Sequence, residues 1–183
     1  MAGPVAVAAI AAQVTSNKSQ VTKKFKGVRD SKKLSEKQRE EWFKKLKKLE
    51  KAGVIKTAVS FSGAKTIDEQ GVVTAIRRAL ARALKKLELP PDSCRVLLDG
   101  TLYAPAIYKN QKTIIRGDDT EPIISAASIM AKVSRDRLMK LLARKFPGYG
   151  FEIHKGYGTK KHYRAIKKHG LSEIHRRSFL QNY

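Results

Sequence analysis

The chain opens on an apolar stretch of small residues at positions 4–14 (PVAVAAIAAQV), and this pattern predicts a buried strand. Residues 18–26 are polar and basic, which is typical of a loop or an edge strand. A helix is predicted over residues 35–53, where apolar residues recur at helical spacing and a glycine closes the pattern. Ser35 and Gln38 form a capping box at its start, because each side chain can satisfy a backbone N–H that the helix leaves unpaired.

A second strand and a second helix are predicted next. Residues 54–61 (VIKTAVSF) are rich in β-branched side chains and are bounded by turns, which favours a strand. Thr66 and Glu69 form another capping box and predict the start of a helix that ends before Pro90. The apolar positions expected on the inner face of this helix are Val73, Ile76, Leu80, Leu84 and Leu87.

Two short apolar strands follow, and each is predicted to end on an acid. The strand within RVLLDG is predicted to end on Asp99, and the strand within KTIIRGDD is predicted to end on Asp118. A long helix is predicted over residues 120–145, followed by a glycine-rich loop and a final helix at 159–169. Because strands alternate with helices, with no internal repeat or linker, we predict one α/β domain over residues 1–183. The expected inner side of the long helix carries Ile123, Ala126, Met130, Val133, Arg137 and Leu141.

The charge of the chain points to a polyanionic partner. Lys and Arg number 39 against 16 Asp and Glu, so the net charge is +23 at pH 7. Such an excess destabilises the compact state through self-repulsion unless a polyanion offsets it, and nucleic acid is therefore the expected partner. Charge alone leaves open both an enzyme and a structural RNA-binding protein such as a ribosomal protein.

The compartment is indicated by three further features. Cys94 is the only cysteine, so an internal disulfide is impossible and a reducing cytoplasm is the expected location. No Lys or Arg precedes Lys18, which argues against the basic start of an export signal. No apolar stretch has the length needed to span a bilayer. We therefore expect a cytoplasmic protein with no membrane partner.

The two acids at strand ends are the candidate catalytic residues. Open α/β sheets bind ligands at the carboxyl ends of their strands, which is where Asp99 is expected. Asp118 follows Arg116 at the next strand end, as a site for a metal ion and a phosphate requires, and Mg²⁺ and Mn²⁺ prefer oxygen ligands. Two such ions can activate a water and stabilise the leaving oxygen in phosphodiester hydrolysis. The alternative is that Asp99 only stabilises its own Asp–Gly turn and Asp118 only caps the next helix.

The glycine-rich segment HKGYGTKKH has the features of a nucleic-acid contact. Its glycines allow the backbone to approach a ligand closely, and its lysines supply positive charge. Tyr157 is expected to be exposed among these cations, where it is suited to stacking on a sugar or base and to sensing a 2′-OH. An ordinary surface loop is the alternative.

Several motifs occur in the order and approximate spacing of bacterial ribonuclease HII: GVRDSKKLS, LLDG, RGDD, ISAASIMAKVSRDRLM, FPGYGFEIHKGYGTKKH and HRRSF. The chain resembles this family from Ala2 to Phe179, and AASIMAKVSRDRLM and HKGYGT are its most specific motifs. The resemblance implies a ribonuclease H-like fold, with a mixed sheet flanked by helices. It also implies an endoribonuclease that cuts RNA in RNA–DNA hybrids and incises duplex DNA 5′ to an embedded ribonucleotide, using Mn²⁺ or Mg²⁺.

The resemblance also implies roles for individual residues. Asp99 and Asp118 match two acidic metal ligands of the family and are the expected catalytic residues. Arg116 replaces the lysine of the family's Lys-Gly-Asp motif and keeps its charge. Tyr157 matches the tyrosine that packs at the ribose–deoxyribose junction. The positions expected along the substrate phosphates are Ser31, Lys32, Lys155 and Lys160.

The sequence departs from the family at its start. The family carries a strand with Asp-Glu-Ala-Gly-Arg-Gly immediately before the segment that matches Ala2 to Val5, and that strand supplies two metal-binding carboxylates. We therefore expect a ribonuclease H-like fold without the first strand, and a working protein that is longer at its N-terminus. The alternative is a catalytically inactive nucleic-acid-binding relative, or a fragment. The resemblance gives Arg135 and Asp136 mainly a scaffold role, and we expect a monomer.

Overall fold

The computed structural model describes residues 1–13, 25, 27–28 and 31–181. Most of the segment predicted as a loop or an edge strand at 18–26 lies outside these residues, as does the end of the first predicted strand. The described residues form a mixed α/β architecture with two two-stranded sheets, β1–β2 and β3–β4, and helices pack on both faces of the first. The α/β class predicted from the alternation of strands and helices is therefore confirmed.

The first predicted strand is present as β1 (Val5–Ala12), which pairs antiparallel with β2 (Ile55–Ser62) over its whole length. Successive side chains of a strand point to opposite faces of the sheet, and β1 uses both faces. Ala9 belongs to one apolar cluster, whereas Ala8 and Ile10 pack against the other. The small, wholly apolar composition of this strand thus follows from packing on two faces, although only Ala9 is buried and the other residues are partly exposed.

The predicted capping box is confirmed at the start of α1 (Glu36–Lys51). Gln38 N donates to Ser35 Oγ over 3.2 Å, and Ser35 N donates to Gln38 Oε1 over 2.9 Å. Gly53 follows the helix with a φ of +69°, a left-handed conformation that glycine adopts without a steric penalty. Both ends of this helix therefore lie where the sequence places them, to within two residues.

The next helix, α2 (Ala64–Lys85), begins before the predicted capping box. Its N-cap is Gly63, and Thr66 lies inside the helix, so the prediction of a cap at Thr66 is wrong. Gly71 has non-helical dihedral angles (φ +78°, ψ 157°) and interrupts the helix, which changes the face presented by the residues around it. Val73 is accordingly 54% exposed and not part of the core. The predicted inner positions that are buried are Leu80, Leu84 and Leu87.

A second strand pair shares the core of the first. β3 (Val96–Asp99) and β4 (Gln111–Ile114) are parallel and paired along their full length. Leu98 of β3 packs in the same apolar cluster as Ala9 of β1 and Leu84 of α2. The carboxyl end of β3 therefore brings its acid to the edge of a packed core, as predicted.

The end of β4 differs from the prediction, because the strand stops four residues before Asp118. The chain turns at Arg116, whose φ is +54°, and Asp118 lies in a one-turn helix, α3 (Gly117–Thr120). The strand would carry the acid past the end of β3 if it continued. The turn instead directs the backbone N–H of Asp118 toward Asp99, 3.4 Å from its Oδ1.

The long helix α4 (Pro122–Lys145) matches its predicted span, but its inner face is only partly as predicted. Arg137 and Leu141 are exposed, whereas Met139 is fully buried. The second half of α4 packs on the segment around α5 (Phe151–His154) and not on the sheet, so a face extrapolated from the first half is wrong there. The predicted positions that are buried are Ala126, Met130 and Val133.

The last helix is α6 (Lys160–His169), which agrees with the predicted span. Thr159 is its N-cap, and its side chain accepts a hydrogen bond from His162 N over 3.3 Å. Gly170 ends the helix with a φ of +74°. The glycine-rich loop that precedes α6 is not wholly irregular, since it contains the one-turn helix α5.

Candidate active site

Asp99 and Asp118 are brought together where β3 ends. The backbone N–H of Asp118 donates to Asp99 Oδ1 over 3.4 Å, although the two residues are 19 positions apart in the chain. Gly117 makes the approach possible, because a Cβ at this position would lie 2.7 Å from Ile124 Cδ1 and 3.5 Å from Asp99 Oδ1. The two acidic residues are therefore neighbours in space, and their sharing of one metal site stays a prediction.

Helix α4 fixes the position of Asp118. Ser125 is 1% exposed, and its Oγ donates to the backbone carbonyl of Asp118 over 2.6 Å. The same hydroxyl lies 3.2 Å from the carbonyl oxygen of Glu121. The one-turn helix that carries the acid is thus attached to the start of a 24-residue helix, and rigid attachment of this kind holds a catalytic group in place.

Cations from the segment before α1 complete this edge of the sheet. Lys32 Nζ lies 3.4 Å from Asp118 Oδ2, and its side chain is 81% exposed while that of Asp118 is 12% exposed. Lys33 forms an ion pair with Asp119 next to it. Ser31 is buried, and its Oγ lies 2.9 Å from Ser128 Oγ on α4. Of the residues expected along the phosphates, Lys32 therefore adjoins Asp118, and Ser31 precedes it and is held against α4.

The two carboxylates fit a hard divalent cation as a partial ligand set. They offer oxygen donors only, and Mg²⁺ is commonly held by one or two carboxylates together with waters and substrate phosphates. Within residues 1–13, 25, 27–28 and 31–181, no group of three or more His, Cys, Asp or Glu side chains has the arrangement of a metal site. The chemistry of the donors therefore suits an ion whose remaining positions are filled by oxygens from a phosphate and from water.

Tyr157 lies in the loop between α5 and α6, next to α4, and the residue is 52% exposed. Lys132 Nζ and Arg135 Cζ of α4 each lie 5.0 Å from the centre of its ring, within the range of a cation–π interaction. Lys132 is also paired with Asp136 over 2.8 Å. Sequence reasoning missed Lys132, because a lysine on an amphipathic helix is ordinarily a solvated surface residue and its proximity to Tyr157 arises only in the folded chain.

Lys155 differs from its predicted environment. Only 8% of this residue is exposed, and its Nζ donates to the backbone carbonyl of Glu152 over 2.6 Å. A second carbonyl, that of Ile153, lies 3.4 Å away. The ammonium group therefore stabilises the end of α5 in the free protein, and the expected contact of Lys155 with the substrate phosphates stays a prediction. Lys160 and Arg116 are exposed, as a phosphate contact requires.

A buried histidine cluster holds the Tyr157 loop. His162 is fully buried, its Nδ1 lies 2.9 Å from the carbonyl oxygen of Tyr157, and its Nε2 lies 3.0 Å from His175 Nε2. The ring of His154 stacks on that of His162, with 4.4 Å between centroids. The sequence contains no signal for this cluster, because its three members come from α5, α6 and the segment after α6.

We expect the stability of the protein to fall as the pH falls from about 6.5 to about 4. Burial lowers the pKa of His162 to about 4, and burial also lowers the pKa of His175. The unfolded chain then binds more protons than the folded chain in this range, so the stabilisation is complete above the unfolded pKa and is lost on acidification. For His162 alone the loss is about 3 kcal/mol.

Urea unfolding at pH 7, 6 and 5, with histidine titration followed by NMR, measures this effect. The variant His169→Gln removes an exposed histidine and should show the same decline as the unsubstituted protein. A denaturation midpoint that is constant from pH 7 to pH 5 would contradict the prediction.

The sheet edge and the Tyr157 loop lie along one side of α4. Ser125, which bonds to Asp118, and Lys132, which contacts Tyr157, are seven residues apart on this helix. At 1.5 Å per residue this separation is about 10 Å along the axis, or roughly three base pairs of a duplex. Across the part of the chain that the structure describes, no helix is both long and apolar enough to cross a membrane.

Comparison with known proteins agrees with the resemblance found in the motifs. The family model described as ribonuclease HII matches residues 1–182. A ribonuclease HII from Ruminiclostridium cellulolyticum is 45% identical over the whole chain, which spans 66% of that protein's length. One from Caldicellulosiruptor saccharolyticus is 42% identical over 98% of the chain, which spans 83% of that protein.

Solved structures indicate the same fold. The ribonuclease HII in the PCNA:RNase HII complex from Archaeoglobus fulgidus superposes with a TM-score of 0.71 and 25% identity, covering 100% of this chain and 89% of that one. The Bst-RNase HIII in complex with Mn²⁺ superposes with a TM-score of 0.56 and 17% identity, covering 92% of this chain and 58% of that one. The predicted ribonuclease H-like fold is confirmed, and the chain belongs to the ribonuclease HII family of ribonuclease H-type hydrolases.

Proposed function

We propose that this protein is an endoribonuclease that cleaves RNA in RNA–DNA hybrids and incises duplex DNA at embedded ribonucleotides, with Mn²⁺ or Mg²⁺ as cofactor. The observation that carries the proposal is the convergence of Asp99 and Asp118 at the end of β3, with Lys32 Nζ 3.4 Å from the second acid. Membership of the ribonuclease HII family supports the same activity. The single cysteine, Cys94, supports action in a reducing cytoplasm.

The two acids are proposed to bind the cation, which would in turn bind the scissile phosphate. When bound, the cation supplies an activated water and charge stabilisation of the leaving oxygen. Asp99 and Asp118 would offer oxygen ligands from two different backbone elements, β3 and α3, to a bound ion. Lys32 lies close enough to Asp118 to form an ion pair with a phosphate bound there. The hydrogen bond from Ser125 of α4 to the backbone of Asp118 holds this residue in place.

The Tyr157 loop is proposed to recognise the sugar next to the cleaved bond. Its exposed ring presents a flat face and a hydroxyl, and a 2′-OH distinguishes RNA from DNA at a given position. Lys132 and Arg135 restrict the ring through contacts with its π system, so the hydroxyl has a defined direction before substrate binds. The contacts that we propose along the phosphates come from Ser31, Lys32, Lys155, Lys160 and Arg116.

A non-catalytic nucleic-acid-binding relative is the second candidate. The observation that favours it is the small number of carboxylates at the site, since Asp99 and Asp118 belong to no group of three or more metal-ligating side chains among the described residues. This candidate keeps the cationic surface and the Tyr157 loop for binding nucleic acid but predicts no hydrolysis with either cation.

Incision assays on three duplexes of one sequence separate these candidates. The duplexes are all DNA, DNA with a single ribonucleotide, and an RNA–DNA hybrid, each incubated with Mn²⁺, Mg²⁺ or EDTA. The proposal predicts cleavage of the hybrid and incision 5′ to the single ribonucleotide, only in a divalent cation, with the all-DNA duplex intact. Binding of the ribonucleotide duplex without incision in either cation would support the second candidate and contradict the first.

A further inference from the structure

Helix α6 carries a strongly cationic face, of which the proposed function uses only Lys160. Successive residues of a helix are rotated by 100°, so its five cations fall within about a third of the circumference. The opposite side of the helix carries His162 and Ile166, which are buried in the core. The cationic face of α6 consists of Lys160, Lys161, Arg164, Lys167 and Lys168, all of which are exposed.

This face has no acidic partner among the residues that the structure describes. The helix contains no Asp or Glu, and none of the ion pairs formed by residues 1–13, 25, 27–28 and 31–181 includes a cation of α6. Five like charges on two to three turns repel one another, so the arrangement is stabilised by a bound polyanion. The apolar side of α6 is already covered by the core, so the helix has no free apolar face with which to enter a membrane.

The position of α6 relates this face to the candidate active site. Its N-terminus follows the Tyr157 loop directly and is joined to it through His162, whose Nδ1 lies 2.9 Å from the Tyr157 carbonyl oxygen. Its C-terminus is held by Tyr149, whose Oη donates to the carbonyl of Gly170 over 3.0 Å. Tyr149 packs in turn against Met139, in the second half of α4.

The distance from the acids to the far end of α6 is therefore set by α4. Ser125, bonded to Asp118, and Met139 are fourteen residues apart, which is about 20 Å along the helix axis. A nucleic-acid duplex advances about 3.4 Å per base pair, so this length corresponds to about six base pairs.

We propose that the cationic face of α6 binds the phosphate backbone of the substrate duplex on one side of the incision site, at up to about six base pairs from the scissile bond. The proposal rests on the proposed function, since it places the duplex through Asp118 and Tyr157. It adds a second contact region, which supplies affinity and orientation without taking part in the chemistry. A duplex too short to reach α6 loses this contribution.

Two matched triple variants test the proposal. Arg164→Gln, Lys167→Gln and Lys168→Gln together remove three charges from the α6 face. The control removes three exposed charges from α2 by Arg77→Gln, Arg78→Gln and Lys85→Gln. Helix α2 packs on one face of β1, whereas α1 and α4 pack on the other face. The two variants have equal net charge, so any difference between them reports location.

The measurement is the affinity for an uncut ribonucleotide duplex as a function of salt. Each phosphate contact contributes a slope of about 0.9 in log K against log salt, so the α6 variant should lose about 2 to 3 in slope and at least about tenfold in affinity at low salt. The α2 variant should retain the slope of the unsubstituted protein. Equal losses in the two correctly folded variants would overturn the proposal, because general charge would then explain the effect.

Shortened duplexes locate the contact, and they distinguish failure of the α6 proposal from failure of the proposed function. When the flank on one side of the ribonucleotide is reduced to about three base pairs, the α6 variant and the unsubstituted protein should bind equally, whereas shortening the other flank should preserve their difference. A difference that survives both truncations would place the contact elsewhere and overturn the proposal. Failure of the unsubstituted protein to bind any duplex would instead overturn the proposed function.

Discussion

Replacement of Asp99 by Asn is expected to reduce incision of a ribonucleotide-containing duplex by at least about a thousandfold. Asp99 is the last residue of β3, and its Oδ1 accepts the backbone N–H of the second acid, Asp118, over 3.4 Å. Asparagine keeps the shape and one oxygen but removes the charge that attracts a divalent cation. The lost stabilisation is several kcal/mol, of which each 1.36 kcal/mol corresponds to about a factor of ten in rate.

The control is Asp119→Asn, which changes a carboxylate on the same one-turn helix. Asp119 is paired with Lys33 and does not form the contact with Asp99. We expect this variant to retain incision to within about threefold, because an exposed ion pair contributes little. Rates in Mn²⁺ and Mg²⁺ should be compared with the affinity for the uncut duplex in EDTA, which neither substitution should weaken. A similar loss of rate in both variants would show that charge near α3, and not the Asp99 ligand, limits the reaction.

Gly156→Ala is expected to lower the stability by about 2–4 kcal/mol and to reduce incision by up to about a hundredfold. The φ of this residue is +79°, which L side chains rarely adopt. A Cβ here would lie 2.5 Å from the carbonyl oxygen of Ala2 and 3.1 Å from Met139 Cε. Relief of this overlap must move the backbone next to Tyr157, and the exposed ring would then lose its position relative to the acids.

The matched control is Gly53→Ala, at a glycine with a similar φ of +69° but with open space around the added methyl group. It should cost only about 1 kcal/mol, from backbone strain alone, and leave incision unchanged. Thermal unfolding is a suitable readout, since each kcal/mol shifts the melting temperature by about 2–4 °C in a domain of this size. Equal shifts of the melting temperature for the two variants would contradict the prediction, because they would show that the Tyr157 loop accommodates the added methyl group.

Local sequence signals were reliable where the deciding interaction is itself local. The capping box of Ser35 and Gln38 joins residues three positions apart, and it is present as predicted. The stop at Gly170 depends on the conformation of one residue in the same way. Where the deciding contact is distant, the same reasoning failed, since Thr66 has the spacing of a cap and lies inside a helix that begins at Ala64.

Helical periodicity predicted the buried face of α4 correctly only over the half of the helix that packs against the sheet. Along α4 the predicted face is buried from Ala126 to Val133, where the helix lies on the sheet side of the core. Beyond that point the helix meets Phe151 and Tyr149, and Met139 is buried in place of the predicted Leu141. The spacing of apolar residues along one helix cannot show that its two halves pack against different elements, because those elements come from other parts of the chain.

The sequence by itself determined the α/β class, the strand that ends on Asp99, the basic character of the surface and, through its motifs, the family to which the chain belongs. Those properties depend on residue type and short-range spacing. Only the tertiary structure decided that Asp118 turns back toward Asp99, that Lys155 is buried while Lys132 contacts Tyr157, and that three histidines form one cluster. Each of these depends on contacts between residues far apart in the chain, and such contacts form only when the elements pack.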